Sequence, residues 1–148
     1  MKRPGRPVSI LVVEDAPEDR LLIQEALREN HSSIPVVFVA DGVELFECLR
    51  QQGRYAASAA GRHPGLILLD LNLPVLDGWT VLQELKADAR FRHIPVVVLT
   101  VSQAEEDLIC AYNLNVAGVI VKPQTFRELT AIVGTLIRYW FEIVELPR

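Results

Sequence analysis

Four short apolar runs of this 148-residue chain each end in residues able to do chemistry. Residues 8–13 lead into Glu14-Asp15, residues 66–69 into Asp70 with Leu71 and Asn72 behind it, residues 96–99 into Thr100, and residues 118–121 into Lys122-Pro123. Three carboxylates drawn together repel one another unless a cation sits among them. A site of oxygen donors with few protein ligands suits Mg²⁺. An ammonium and a hydroxyl beside it can bind the anionic oxygens of a phosphoryl group. The residue types therefore point to Mg²⁺-assisted phosphoryl chemistry, provided the fold brings the four run ends to one rim.

The elements that must do so are legible. Apolar runs at 8–13, 36–40, 66–71, 96–100 and 118–121 are rich in Val, Ile and Leu and mostly continuous, as in parallel strands buried on both faces. Helical patterns lie between them. Leu22, Ile23, Ala26 and Leu27 mark the face of the first, Val43, Phe46 and Leu49 the second, and Val81, Leu82 and Leu85 the third. Leu108, Ala111 and Tyr112 mark a further helix before the last strand run. Asp41…Glu44, Ser102…Glu105 and Thr125…Glu128 read as capping boxes, and Pro17 with Glu18 and Asp19 suits a first helical turn. Strict alternation predicts a flavodoxin-like α/β fold, a (βα)₅ doubly wound parallel sheet of order 2-1-3-4-5 with right-handed crossovers and an extended C-terminal helix. In such sheets ligands bind outside the carboxyl ends of the strands, where Glu14, Asp15, Asp70, Thr100 and Lys122 would meet.

Length suits one domain: a flexible tail at 1–7 and a domain over 8–148 ending in a dimerisation helix. A net charge of −4 supplies no broad basic field for nucleic acid or anionic membrane. No apolar run approaches the roughly 18 residues of a membrane span. The basic opening lacks an apolar segment behind it, so it is not a secretory signal, and Cys48 and Cys110 show no metal-type spacing. Two free thiols in a cytoplasmic protein are the expectation.

The segments VVED, LDLNLPVLDG, PVVVLT and VKP, in that order and each at a strand end, resemble the response-regulator receiver family from about residue 8 to about residue 136. The resemblance implies that Asp70 is the phosphoacceptor for a sensor histidine kinase. It implies that Glu14, Asp15, Asp70 and the backbone carbonyl of Asn72 hold Mg²⁺, with Glu14 acting through water. Thr100 and Lys122 would bind phosphoryl oxygens, and Lys122-Pro123 would be a cis peptide. A narrower resemblance, to regulators of bacterial and cyanobacterial phytochromes, rests on the long loop after the second helix, on Ser102-Gln-Ala-Glu-Glu-Asp107, and on the aromatic C-terminal end. It implies a phytochrome-type kinase, a homodimer and a downstream protein partner, with no enzymatic turnover beyond Mg²⁺-dependent gain and loss of phosphate at Asp70.

Some residues depart from that pattern or admit plainer readings. Val119 stands where the family carries a switching aromatic ring, and Val101 where a smaller residue is usual. Alone, Glu14 and Asp15 could simply open a helix, and Thr100 could be an ordinary strand residue. Asp77 and Ser102 read as helix caps. His31, His63 and His93 read as surface histidines, and Trp79 as packing. A haloacid-dehalogenase-type phosphatase would need an acid where Asn72 stands, and a nucleotide-binding loop would be repelled by Glu14-Asp15. A pseudo-receiver that binds partners without phosphorylation stays open through Val119. Tyr139, Trp140, Phe141, Ile143 and Val144 place apolar surface around the last helix, predicting a dimer interface there.

Overall fold

The computed structural model describes residues 9–55, 64–71, 77–100 and 116–143. Five parallel strands form one sheet of order β2-β1-β3-β4-β5: β1 (Ser9–Val13), β2 (Val36–Val39), β3 (Pro64–Asp70), β4 (Val96–Thr100) and β5 (Gly118–Val121). Among the described residues, the α-helices α1 (Pro17–Glu29), α2 (Gly42–Leu49) and α3 (Gly78–Ala87) precede a C-terminal helix (Phe126–Ile137) whose end, Arg138–Ile143, is wound as a π-helix. Asn72, the helix expected around Leu108 to Tyr112 with Ser102 and Cys110, and the end from Val144 onward lie outside the described residues.

Strand alternation sorts the core into two layers. Leu11 and Val13 face a layer with Ile67, Leu69, Phe46, Leu49, Val81, Leu82 and Leu85, under α2 and α3. Ile10 and Val12 face the other, with Leu66, Leu68, Ile23, Ala26, Leu27 and Val133, under α1 and the C-terminal helix. Both faces are filled, which is why β1 and β3 are buried at every residue and read as continuous apolar runs. Leu22 and Val43, expected on buried helix faces, are exposed instead. In α1 the spacing of Ile23, Ala26 and Leu27 already fills the inward stripe, and Leu22 falls off its edge.

Caps fix where helices begin and end. Asp41 accepts from the Glu44 amide at 2.9 Å, Asp77 from that of Thr80 at 3.0 Å, and Thr125 from that of Glu128 at 3.1 Å. Left-handed His31 (φ 53°) and Gln51 (φ 59°) close α1 and α2, a role that sequence leaves hidden because neither is glycine. Asn30 ties α1 to the C-terminal helix, its amide donating to the carbonyls of Ala26 (2.8 Å) and Thr130 (2.9 Å). Gly134 leaves the room, since a Cβ there would strike the Asn30 side chain.

One expectation for the chain end is corrected. Phe141 is only 3% exposed and belongs to the core layer beneath the C-terminal helix, so it offers no surface to a partner. The looser π winding turns the chain less per residue, which returns Phe141 to the stripe of Val133 and Ile137 on the sheet side. Trp140 is half-buried against the same layer, and Tyr139 stands exposed with its ring edge-on to Trp140 at 5.0 Å. Phe141→Ala is therefore expected to cost about 3–5 kcal/mol in urea unfolding, as for a core aromatic. Tyr139→Ala should stay within about 0.5 kcal/mol of wild type, as a surface change does.

Candidate functional site

The four strand ends converge as the topology requires, because β1, β3, β4 and β5 are consecutive in the sheet. Pairing runs slightly past β1, β3 and β5. The Glu14 amide donates to Val39 (3.0 Å), that of Leu71 to Leu99 (3.2 Å), and that of Lys122 to Thr100 (2.7 Å). These bonds hold the residues that follow the strands as firmly as the strands themselves. Lys122 reaches Asp70 from the end of this extended pairing, and the Lys122–Pro123 bond that follows it is trans, where cis was expected. Its long side chain spans the distance to the Asp70 carboxylate.

Lys122 Nζ donates to Asp70 Oδ2 at 2.8 Å and lies 3.5 Å from Glu14 Oε2 and 3.8 Å from Asp19 Oδ2. Glu14 (1% exposed), Asp70 (2%) and Thr100 (0%) are buried, whereas Asp15 faces solvent. Glu14, Asp15 and Asp70 can each present an oxygen so that all three lie within 4.8 Å of one another. This is a hard, anionic, all-oxygen donor set with one side open to water, which fits a divalent cation such as Mg²⁺.

The protonation states record the crowding. Burial pushes the Glu14 carboxyl up to about 7, helped by its hydrogen bond with Asp70 and by the Asp70 charge; the Ala16 amide and Lys122 pull it back only in part. For Lys122, burial alone would lower the ammonium, but its hydrogen bond to Asp70 and the charges of Asp70, Glu14 and Asp19 hold it above its ordinary value. Without a cation, then, the crowding makes Glu14 hold a proton more readily than an ordinary carboxylate does.

The sequence-predicted residues Glu14, Asp15, Asp70, Thr100 and Lys122 all sit at this rim. Val119 lies one layer back, half-buried against the α2–α3 side of the core. Asp77 is the cap of α3 and no ligand, as its spacing suggested. Three contributors went unassigned from sequence. Asp19 has the character of a first-turn acid of α1, yet it reaches Lys122. Arg20 Nε donates to the Glu14 carbonyl at 2.6 Å. Gly78 opens α3 directly against the chain following Asp70: a Cβ there would lie 2.5 Å from Leu71 Cα and 2.9 Å from the Asp70 carbonyl oxygen. The Asp77-Gly78 pair carried that last signal, since glycine is the residue that admits such close backbone approach.

A family model described as the response regulator receiver domain matches residues 10–134. The response regulator Rcp1 of Synechocystis sp. is 40% identical over 141 residues, spanning 95% of this chain and 94% of the relative. The structure of its Mn(2+)-bound form aligns with a TM-score of 0.82 at 40% identity, over 96% of this chain and 100% of that one. The phosphorylated cyanobacterial phytochrome response regulator RcpA aligns with a TM-score of 0.84 at 42% identity, over 97% and 100%. RPA3017, a response regulator in red light signalling of R. palustris, aligns at 0.86 and 29% identity, over 95% and 99%.

The raised Glu14 carboxyl sets a pH dependence. Folding raises it from 4.5 to about 7, so the folded chain binds this proton more tightly than the unfolded one. The group accordingly subtracts stability from the metal-free protein as pH rises through that window. A cation must displace the same proton, so Mg²⁺ affinity should be about tenfold weaker at pH 6 than at pH 8. Calorimetric titration at the two values checks this, and equal affinities would show that Glu14 is ionised before the metal arrives.

Proposed function

The chain belongs to the response regulator receiver domain family, and on that premise we propose that it accepts a phosphoryl group on Asp70 from a sensor histidine kinase and signals by protein contact. The observation that carries this reading is the 2.8 Å bond that aims the Lys122 ammonium at the buried Asp70 carboxylate, with Glu14 and Asp15 alongside. In the transfer, an Asp70 oxygen forms a bond to phosphorus as the phosphohistidine P–N bond breaks and its electron pair returns to the imidazole. Bound Mg²⁺ supplies charge neutralisation for the phosphoryl oxygens. Asp15, Asp70 and the Asn72 carbonyl would hold that ion, with Glu14 behind them through water. Lys122 and Thr100 take phosphoryl oxygens as the carboxylate that Lys122 now pairs with loses its charge. Positioning and charge do the work.

The kinase is of phytochrome type, a reading supported by the likeness to RcpA and RPA3017 along nearly the whole chain. The Val119 side chain has no ring to rotate, so output runs through the β4 end at Thr100. The aromatic end of the C-terminal helix serves a homodimer through Tyr139, Trp140 and the segment with Ile143 and Val144; Phe141 acts from beneath, by holding that end on the sheet.

Acetyl phosphate with Mg²⁺ should add one phosphoryl mass to the intact protein. Asp70→Asn or removal of Mg²⁺ should abolish it; label retained at wild-type level in Asp70→Asn would refute the assignment. Light scattering of unphosphorylated protein at micromolar concentration should give a dimer mass, and Tyr139→Glu, at an exposed position, should give a folded monomer that still takes the label. A wild-type monomer under these conditions would remove the dimer from the reading.

A further inference from the structure

Glu14 and Asp15 ride on a turn of very few residues between β1 and α1. Glu14 itself holds that turn at two points. Its carboxylate accepts from the Ala16 amide at 3.2 Å, and its backbone carbonyl accepts from Arg20 Nε at 2.6 Å. The first bond is lost or weakened whenever the carboxylate turns to another partner. The second is independent of the carboxylate. It comes from half-buried Arg20 on the first turns of α1, whose own amide is anchored to the Ala16 carbonyl at 3.0 Å. One side chain thus braces the peptide between Glu14 and Asp15, whose orientation decides that Glu14 points inward and Asp15 toward the open side.

We infer that Arg20 is a positioning residue of the cation site, acting through the Nε–H bond to the Glu14 carbonyl and not through its charge. The inference rests on the Mg²⁺-dependent reading above. Charge and hydrogen bond predict opposite signs, which makes them separable. A guanidinium near the carboxylates repels a dication, so loss of its charge alone should strengthen Mg²⁺ binding. Loss of the brace should weaken it, as removal of partners that orient metal ligands commonly costs about 10–100-fold in affinity.

Two substitutions divide the effects. Glutamine places an N–H donor at the same chain position as Arg Nε but carries no charge, and methionine matches the length with neither donor nor charge. Calorimetry on the full chain should show Arg20→Gln binding Mg²⁺ as tightly as wild type or more tightly, and Arg20→Met about tenfold more weakly. Both should melt close to wild type without metal. Equal affinities for Arg20→Met and Arg20→Gln, which differ only in the donor, would overturn the inference. Wild type that binds no Mg²⁺ would instead defeat the underlying functional reading. If Arg20→Met does not fold, nitrogen-resolved NMR of wild type decides. An Arg20 Nε–H protected from solvent exchange supports the brace, and one exchanging like the other arginines refutes it.

Discussion

The ion pair between Lys122 and Asp70 joins residues 52 positions apart at 2.8 Å, and it does so among Glu14, Asp15 and Asp19. One ammonium cannot balance that many carboxylates, two of them buried. Such a cluster would spread apart in a loose chain, because each buried charge gains more from water than from a distant partner. What keeps it together is that Glu14, Asp15, Asp70 and Lys122 end or directly follow strands paired along their length, while Asp19 joins them from α1. The leftover negative charge is then a standing demand for a cation, and it shows in the raised proton affinity of Glu14.

That demand explains the character of the sheet. Strand ends can be positioned to fractions of an ångström only if the strands cannot slide, and a slip by one residue would exchange the two core layers. Along β1, Ile10 and Val12 enter one layer while Leu11 and Val13 enter the other, and β3 repeats the division. Neither layer tolerates the exchange. Close packing at the rim continues the same logic, with Gly78 letting α3 begin against the backbone that leaves Asp70.

Helix α1 serves both ends of the molecule. Its opening turns face the site with Asp19 and Arg20, and its last turn is tied by Asn30 to the C-terminal helix, where Gly134 makes room. The C-terminal helix in turn covers β1 and β3 with Val133 and, through its π-wound end, Phe141. The aromatic residues at the chain end are therefore divided between core and surface, and a shared hydrophobic composition does not reveal which is which.

Much of this was legible in the sequence. Strand positions, sheet order and the rim residues follow from apolar runs buried on two sides, because hydrophobic burial is a local signal repeated along each element. Side-chain capping at Asp41, Asp77 and Thr125 is equally local, since donor and acceptor lie within one turn. What the sequence left undecided depends on distances between elements. Leu22 was placed inside and stands outside, Phe141 was placed outside and lies inside, and the Lys122–Pro123 bond is trans where cis was expected. Arg20, Asp19 and Gly78 look like ordinary helix residues until the strand ends arrive beside them. Periodicity specifies which face of an element is apolar, but the phase of that face against its neighbour, and so each long-range polar contact, is settled only when the layers close.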